Sequence, residues 1–401
     1  MSEWRLTTLG EVLTPIKRTV AVADLVAVPW AGARWYAEGI YPRIVEPADK
    51  VKTKTLNGLQ LDDITYNRMW ATKAAFGVVG PDAAGCLVSS DFPVFVADPS
   101  RLLPGFVRAI FQSPAFQKEA SLRAVGTTER KRLKEADFLK MPVAVPPLAE
   151  QGRIVDLMIA VDAQIDELDA ERQTTTSLLA VMRDAYPEGP EHALSHVVAG
   201  IDSGKSVQTS DERPLPGEPA VLKLSAIQLG SFVASEAKRL ADLTAHTEAH
   251  LVVEGDLLIT RASGSFDRVG YATIARDVQP QTYMPDLIWR IRTRPDVCQS
   301  TFLAHLLCSP SVRSMITSSA RGTASMRKIN KALLGSLRLP IPSLEEQSAY
   351  VERCDAVAFA AQRLDLELTD LRAFRSALLS ALLTREIEIP ESYESLLEEV
   401  S

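Results

Sequence analysis

The sequence predicts an α+β protein: two similar domains of mixed α/β structure, separated by two long helices that pair as an antiparallel coiled coil. Three observations lead to this fold class and to a pseudo-twofold internal repeat. A segment that starts at Gly126 recurs from Gly322, a stripe of mostly apolar residues at helical spacing follows each copy, and short strand-like and helix-like patterns precede each copy.

The repeat is an offset of 196 residues that holds without a gap. GTTERKRLKEADFLKMPVAVPPLAEQ, from Gly126, corresponds to GTASMRKINKALLGSLRLPIPSLEEQ, from Gly322. Upstream, the segment that ends at Arg68 corresponds to the segment that ends at Arg261, at an offset of 193. Because the matches occur in the same order, we interpret the chain as two copies of one unit, each a globular domain followed by a long helix.

The first domain is expected over residues 1–145 and the first long helix within residues 146–187. The helix should begin at Leu148 and run for about 38 residues, or about 57 Å. The segment PEGP, which begins at Pro187, should end it. Its a/d stripe consists of Ile154, Met158, Val161, Ile165, Leu168, Arg172, Thr175, Leu179 and Met182.

The second domain is expected over residues 188–342, the second long helix within 343–388 and an acidic tail over 389–401. Ser343 and Glu346 form a capping box at the start of this helix, where the first copy has Pro147. We expect the two helices to pair within the chain. The alternatives are that each packs on its own domain or dimerises with another chain. The second stripe consists of Tyr350, Cys354, Val357, Ala361, Leu364, Leu368, Leu371, Arg375 and Leu378.

Composition is that of a soluble globular protein, with 46% hydrophobic and 24% charged residues. The N-terminus has no apolar signal-peptide region, and no apolar run is long enough to span a membrane. The four scattered cysteines favour a reducing cytoplasm over a disulfide framework or a zinc site. We therefore expect a cytoplasmic protein.

The net charge of −7 argues against nucleic acid, but the charge is unevenly distributed. Residues 101–140 contain nine Lys or Arg against four Asp or Glu, and residues 321–338 contain five basic residues and no acid. An acidic average with local basic patches is compatible with DNA binding at chosen surfaces.

The layout resembles the specificity subunits of type I restriction-modification systems over nearly the whole chain. The resemblance is carried by PPLAEQGRIV at 146–155 and IPSLEEQSAYV at 341–351, each opening a long helix, with the basic segments before them and the strand-Arg elements at Arg68 and Arg261. It implies two target recognition domains that each read one half of a bipartite DNA site. The paired helices would fix the spacing between the half-sites.

The same resemblance implies two modification subunits as partners, which bind S-adenosylmethionine and methylate adenine, and it allows restriction/translocase subunits to join the assembly. The chain itself would be non-catalytic and hold no cofactor. This agrees with its lack of a G-x-G loop and of an (N/D)PP(Y/F) segment. The alternative from another class is a non-enzymatic coiled-coil scaffold whose duplicated domains bind protein.

Phosphate contacts are predicted for basic residues of the repeated segments and of the strand ends. The plain alternative for the repeated segments is a solvated helix face, and that for Arg68 and Arg261 is an exposed strand end. Base readers are only suggested, at Asn67, Lys73, Ser89, Ser90 and Arg268. The predicted DNA-binding residues are Arg68, Arg130, Lys131, Arg132, Lys134, Arg261, Arg321, Arg327 and Lys328.

Two other motifs are weaker. AGIDSGKS, at 199–206, approaches a P-loop and would give an NTPase that uses Lys205, but its flanks do not fit a strand and a helix. The histidine pairs His192/His196 and His246/His250 have metal-like spacing but no third ligand. We expect no metal site and no NTP site.

Overall fold

The computed structural model describes residues 4–126, 131–206, 212–240, 248–323 and 326–390. The chain divides into two compact units. Unit 1 is Met1–Glu167 with Leu368–Ser401, and unit 2 is Leu168–Glu367. Each unit therefore combines one globular half with parts of both long helices, which gives a mixed α/β protein.

Unit 1 is built from short strands and short helices, followed by the start of the first long helix. Its strands are β1 (Arg5–Thr8), β2 (Leu13–Ile16), β3 (Thr19–Ala21), β4 (Ala27–Ala33), β5 (Ile40–Pro47), β6 (Thr55–Gly58), β7 (Ile64–Tyr66), β8 (Phe76–Val78), β9 (Leu87–Val88), β10 (Val94–Ala97) and β11 (Pro142–Val145). Its helices are α1 (Leu9–Val12), α2 (Pro104–Gln112), α3 (Pro114–Arg123), α4 (Glu135–Leu139) and the first part of α5 (Leu148–Asp184).

Unit 2 repeats this order. Its strands are β12 (Glu191–Ala193), β13 (Val198–Ser203), β14 (Ala220–Leu222), β15 (Ala237–Arg239), β16 (Leu257–Thr260), β17 (Ala262–Ser263), β18 (Ala272–Ile274), β19 (Thr282–Tyr283), β20 (Ile288–Thr293), β21 (Arg321–Thr323), β22 (Met326–Lys328) and β23 (Arg338–Pro340). Its helices are α6 (Leu194–Val197), α7 (Ser300–Cys308), α8 (Pro310–Ser319), α9 (Lys331–Ser336) and the first part of α10 (Leu344–Thr384).

The central sheet has the same topology in both units. Its order is β2-β10-β7-β8 in unit 1 and β13-β20-β16-β18 in unit 2, and neighbouring strands are antiparallel in both. A two-stranded sheet precedes each long helix, β1-β11 in one unit and β12-β23 in the other. The repeat seen in the sequence is therefore also a repeat of structure.

The units differ in the sheets inserted into this framework. Unit 1 has a five-stranded sheet of order β3-β6-β9-β4-β5. Unit 2 has two three-stranded sheets, β15-β14-β19 and β17-β22-β21. The five-stranded sheet and the β15-β14-β19 sheet lie where the two halves of the sequence do not align, whereas β21 and β22 belong to the repeated basic segment.

Aromatic packing holds the core of unit 1 together. The rings of Tyr66, Phe76, Phe95 and Phe138 are fully buried, and the Tyr66 and Phe138 centroids lie 4.6 Å apart. Such pairs contribute about 0.5–1.5 kcal/mol beyond the burial of their area. The matching core of unit 2 is largely aliphatic and sulfur-containing, so the two halves reach one fold with different side chains.

The motif PxLxEQ occurs at 146–151 and again at 342–347, and the glutamine that ends it fixes the start of each long helix. Gln151 Oε1 accepts from the N–H of Leu103, which caps α2, while Gln151 Nε2 donates to the carbonyls of Arg101 and Pro146, all at 2.8 Å. Gln151 is completely buried. The motif therefore attaches the long helix to the short helix that precedes it.

The long helices begin where the sequence predicts, at Leu148 and Leu344. The capping box is confirmed at α10: the Glu346 carboxylate accepts from the Ser343 N–H at 3.0 Å and from the Ser343 hydroxyl at 2.7 Å. In α5, Glu150 accepts instead from Trp4 Nε1 at 2.9 Å. A residue from the N-terminal segment thus binds the carboxylate that takes part in the capping box of the other copy.

Within unit 1, the start of α5 packs against the end of α10. Ile154 and Met158 share a buried cluster with Leu379 and Leu382. The polar stripe position Arg375 is bound by Asp162 of α5.

Unit 2 has the reverse arrangement, in which the end of α5 packs against the start of α10. Leu179 shares a buried cluster with Tyr350 and Cys354. The Tyr350 hydroxyl donates to the carbonyl of Arg183 at 2.7 Å, and the other polar stripe position, Arg172, lies 3.7 Å from Asp365.

The four cysteines are buried and unpaired. Among the described helices, none is both long enough and apolar enough to cross a membrane.

Candidate nucleic-acid interface

Arg68 and Arg261 occupy equivalent positions, just beyond β7 and directly after β16. In unit 1 the N–H of Leu133 donates to the Arg68 carbonyl at 3.0 Å, and in unit 2 the N–H of Ile329 donates to the Arg261 carbonyl at 3.0 Å. Leu133 and Ile329 are matched by the repeat. The structure therefore joins the two basic regions of each half, which the sequence predicts separately, in the same way in both units.

The basic segments of the repeat are extended. Val125 and Arg132 form an isolated antiparallel bridge, and the residues at the same offset, Arg321 and Lys328, pair in the hairpin of β21 and β22. For the cations of these segments that the structure describes, the alternative of a helix face is therefore wrong. An extended strand pair can follow a phosphate backbone with side chains on one side.

Two candidate arginines of unit 1 are held by neighbouring groups. Arg68 Nη2 donates to Glu135 Oε2 at 2.9 Å, and its Nη1 donates to the Ser90 carbonyl at 3.0 Å. Arg132 is paired with Asp91. All four charged side chains are partly exposed, and such pairs typically contribute only about 0–1 kcal/mol. A phosphate can therefore compete with the carboxylates for these guanidinium groups.

The other candidates differ in their surroundings. Arg327 is partly buried and has a polar partner, and Arg130 lies outside the described residues. Four cations have exposed side chains that form no hydrogen bond or ion pair with any part of the chain the structure describes: Lys131, Lys134, Arg321 and Lys328. These four carry the most accessible positive charge of the set.

In unit 2, Trp289 of strand β20 lies beside Arg261. The Arg261 guanidinium carbon is 5.7 Å from the centroid of the Trp289 ring, and Lys331 Nζ is 5.8 Å from it. Lys331 Nζ also donates to the carbonyl of Ile201 at 2.5 Å. Cation–π contacts orient a charge without neutralising it, so this pair leaves positive charge beside the hairpin.

Two of the suggested base readers have local structural roles. Asn67 Oδ1 accepts from the N–H of Met69 at 3.0 Å and caps the 3-10 helix Arg68–Lys73. Ser89 Oγ accepts from the N–H of Asp91 at 3.4 Å. A side chain that stabilises its own loop is less available to a base edge.

The other suggested readers are more exposed. Lys73 Nζ lies 5.8 Å from the centroid of the Trp35 ring, and Arg268 Nη2 donates to Gln228 Oε1 at 2.9 Å. Ser90 is exposed, and its carbonyl accepts the hydrogen bond from Arg68 described above. Sequence reasoning did not find Trp35, because an aromatic residue in a turn has no periodic pattern.

Sequence reasoning also missed Tyr66, Glu135 and Asp91, which organise the unit 1 face. The Tyr66 hydroxyl donates to the Leu133 carbonyl at 3.2 Å, and burial raises the pKa of Tyr66, so the hydroxyl stays protonated. Glu135 begins the short helix α4. Asp91 lies in the loop before β10. Each meets its partner across a long sequence separation that no spacing rule connects.

Neither the P-loop-like segment nor the histidine pairs form a site in the described residues. In the P-loop-like segment, residues up to Ser203 pair in β13 with β20, and the N–H of Lys205 donates to the Met284 carbonyl. Those backbone donors are therefore not free to cradle phosphate. His192 lies in β12 and His196 in α6, while His246 is outside the described residues. No group of three or more potential metal ligands occurs in the described part of the chain.

Comparison with known proteins gives a consistent family. No protein-family model matches the chain. It is 22% identical over 312 residues to the type I restriction enzyme EcoKI specificity subunit of Escherichia coli (strain K12), and 20% identical over 300 residues to the StySPI specificity subunit of Salmonella potsdam. These alignments cover 72% and 70% of this chain but 66% and 64% of the relatives, slightly less than two thirds of their length.

Two solved structures share the fold over nearly the whole chain. One, from a study of complex assembly and conformational transition of the type I R-M system, has a TM-score of 0.57 at 18% identity, covering 95% of this chain and 97% of its own. The other, the S subunit of the type I restriction-modification system of M. genitalium, has a TM-score of 0.53 at 14% identity, covering 95% and 96%. In sequence and in fold, the chain is therefore similar to the specificity subunits of type I restriction-modification systems, as its repeated PxLxEQ motif predicts.

Proposed function

We propose that this chain is the sequence-specific DNA-recognition subunit of a type I restriction-modification complex. It is a non-catalytic targeting subunit, and each globular half reads one half of a bipartite double-stranded DNA site. The observation that carries the proposal is the duplicated framework: the same central sheet, the same basic segment joined to the same arginine, and the same glutamine at the start of a long helix.

The finer layout is part of the proposal. Residues 1–145 and 188–342 act as target recognition domains, and the helices of 146–187 and 343–388 pair as an antiparallel coiled coil with a pseudo-twofold axis. The packing of α5 on α10 within each unit, in opposite senses, supports this arrangement. A rod of fixed length suits a site with a fixed gap, since one heptad, about 10 Å, corresponds to roughly three base pairs of B-DNA.

Affinity and sequence readout come from different residues in this proposal. The accessible cations Lys131, Lys134, Arg321 and Lys328 contact phosphates, and Arg68, Arg132 and Arg261 support them. Phosphate contacts set register without selecting a sequence. The five-stranded sheet of unit 1 and the β15-β14-β19 sheet of unit 2, which have no counterpart in the other unit, would supply the base contacts, so one framework can recognise two unlike half-sites.

The partners complete the activity. Two methyltransferase subunits dock on the long helices, bind S-adenosylmethionine and modify adenine, and restriction/translocase subunits can join the assembly. The chain contributes position rather than chemistry.

Footprinting of the complex assembled with its methyltransferase subunits tests the proposal. We expect two protected patches separated by an unread gap, with DNA affinity that falls steeply as salt rises because counterions are released. Sequencing of modified adenines in cells carrying the system should give a motif of two short halves with the same gap. One continuous protected patch, or DNA association that does not depend on salt, would instead favour the protein-binding scaffold.

A further inference from the structure

A turn between β4 and β5 of unit 1 exposes two large aromatic side chains. Trp35 is 46% exposed and Tyr36 is 62% exposed. The Trp35 ring packs on the ring of Trp70, with the centroids 5.7 Å apart. Large aromatic side chains stabilise a protein or a complex most when they are buried. An exposed aromatic pair that the fold holds in place therefore indicates a surface that binds another molecule.

The turn has an unfavourable backbone conformation that its surroundings maintain. Tyr36 and Ala37 both have a φ of 57°, in the left-handed region that residues other than glycine rarely adopt. The N–H of Ala37, which is buried, donates to the Ala74 carbonyl at 2.8 Å. Strain of this kind persists only where neighbouring contacts over-determine it, and it concentrates at ligand-contacting sites.

The end of the turn at Gly39 is held by close contacts between backbone segments. The N–H of Arg34 donates to the Gly39 carbonyl at 2.9 Å. A Cβ added at Gly77 would lie 2.9 Å from the backbone of Gly39, so only glycine permits this contact. The exposed aromatic pair is therefore presented by a rigid base.

Hydrogen bonds also connect the turn to the long helices of unit 1. Gln112 Nε2 donates to the Ala37 carbonyl at 3.3 Å, while Gln112 Oε1 accepts from Arg375 Nη2 at 2.9 Å. Arg375 is in turn bound by Asp162. Within this unit, the position of the turn is thus tied to the helices that the proposed function uses as a spacer.

Exposed cations lie beside the aromatic pair. Arg34 directly precedes Trp35, Lys73 Nζ lies 5.8 Å from the centroid of the Trp35 ring, and exposed Glu38 belongs to the same turn. Lys73 ends the short helical segment that Arg68 begins and that is kinked at Trp70. The aromatic pair is therefore connected through one short segment to a predicted phosphate contact. Aromatic rings can stack on bases, and cations beside the rings can bind the adjacent phosphates, so this combination suits a contact with DNA.

We propose that Trp35 and Tyr36 form an aromatic wedge that contacts the DNA half-site read by unit 1. One or both rings stack on an exposed base face or enter a base step, and Arg34 and Lys73 bind the phosphates beside it. This inference rests on the proposed function and assigns specificity-determining residues to it.

Trp35→Ala and Tyr36→Ala, made singly and together in the complex with its methyltransferase subunits, test the wedge. The double variant should lose at least tenfold in affinity for DNA with both half-sites. It should lose discrimination at one half-site, keep it at the other, and retain the wild-type salt slope because no cation is removed. Trp35→Phe, which keeps an aromatic face, should recover much of the affinity.

A fluorescent base separates contact with DNA from other effects. With 2-aminopurine at successive positions of the affected half-site, wild-type binding should change the emission at one step, and the double variant should not. Retained recognition of the other half-site shows that unit 2 is folded, and an unchanged circular dichroism spectrum and unfolding midpoint of the double variant show the same for unit 1. Unchanged affinity and emission in the double variant would overturn the wedge alone. Loss of assembly with the methyltransferase subunits would instead make this a protein-docking surface, and a wild-type complex without specific DNA binding would overturn the proposed function as well.

Discussion

Gln151 and Gln347, separated by 196 residues, form the same three hydrogen bonds in their respective units. Gln347 Oε1 accepts from the N–H of Gln299 at 2.9 Å, and its Nε2 donates to the carbonyls of Val297 and Pro342, both at 2.9 Å. Each acceptor and donor is displaced from its unit 1 counterpart by that same offset. Both glutamines are completely buried. The last residue of the PxLxEQ motif is therefore an architectural connection.

Replacing either glutamine should destabilise its own unit. Gln151→Leu or Gln347→Leu leaves one buried carbonyl, and one N–H and one carbonyl that are partly buried, without partners, so we expect a loss of about 2–5 kcal/mol in the free energy of unfolding. Denaturant unfolding monitored by circular dichroism measures it. Gln164→Leu, at an exposed site on α5, is the matched control and should change stability by less than about 0.5 kcal/mol. A change no larger than that of the control would rule out the architectural role.

Neutralising the accessible cations should weaken DNA binding without changing its sequence preference. For Lys131→Ala and Lys328→Ala we expect affinity for specific and random DNA to fall together, and the slope of log K against log salt to become shallower by about 0.9 per lost contact. Titrations at several salt concentrations measure the slope. Lys131→Arg and Lys328→Arg keep the charge and should preserve it. A change in the recognised motif would assign these residues to base readout instead.

The middle of α5 should determine spacing. Leu168 is a partly buried residue of the predicted a/d stripe, and Leu168→Pro removes a helix hydrogen bond and kinks the helix, at about 3 kcal/mol or more. We expect methylation of the bipartite site to be lost while each globular half remains folded, as judged by limited proteolysis. Leu168→Ala, which keeps the helix, should retain the site. If the gap between the half-sites survived the proline, the spacer role would be incorrect.

The capping box of α10 predicts a pH effect. Hydrogen bonds from the Ser343 hydroxyl and backbone lower the pKa of Glu346. A carboxylate with a lowered folded-state pKa adds stability above its unfolded pKa, and that stability is lost as the pH falls through the folded value. In Ser343→Ala we expect the pKa of Glu346 to rise and the acid dependence of stability below about pH 4.5 to weaken. Carboxyl-carbon NMR titration would show this. An unshifted pKa in the variant would show that the hydroxyl contributes nothing.

Exposed apolar residues on the long helices should serve in partner docking. Leu178 and Phe374 are related by the repeat offset and are 50% and 54% exposed. On the proposed function, Leu178→Lys and Phe374→Lys should each reduce the binding of one of two methyltransferase subunits by at least tenfold. Native mass spectrometry of the assembly counts the bound subunits. The exposed polar positions Gln173→Lys and Thr369→Lys provide controls on the same helices, and a fully occupied assembly in both apolar variants would exclude this surface.

Local patterns made much of the architecture predictable. The starts of α5 and α10 could be read from sequence because the helix period and the capping residues are short-range features. The stripes could be read for the same reason, including their polar positions Arg172 and Arg375. The strands of the central sheet were expected only in outline, since their pairing joins segments far apart in the chain.

The candidate interface was predictable in part. Basic residues in a repeated segment were visible as composition, but their extended geometry was not, since the pairing of Arg321 with Lys328 depends on a hairpin and a neighbouring strand. The ion pair between Arg68 and Glu135 also could not be predicted from the sequence. Such contacts close long loops, and no periodicity encodes which acid meets which base.

The sequence alone determined that this protein is duplicated, that each copy ends in a long helix, and that the PxLxEQ motif marks each junction. Repetition and helical period are properties of the chain itself. Only the tertiary structure decided what that motif does, which cations remain accessible, and that Trp35 and Tyr36 project from a strained turn. Those outcomes depend on burial and on contacts between distant segments, which exist only once the chain is packed.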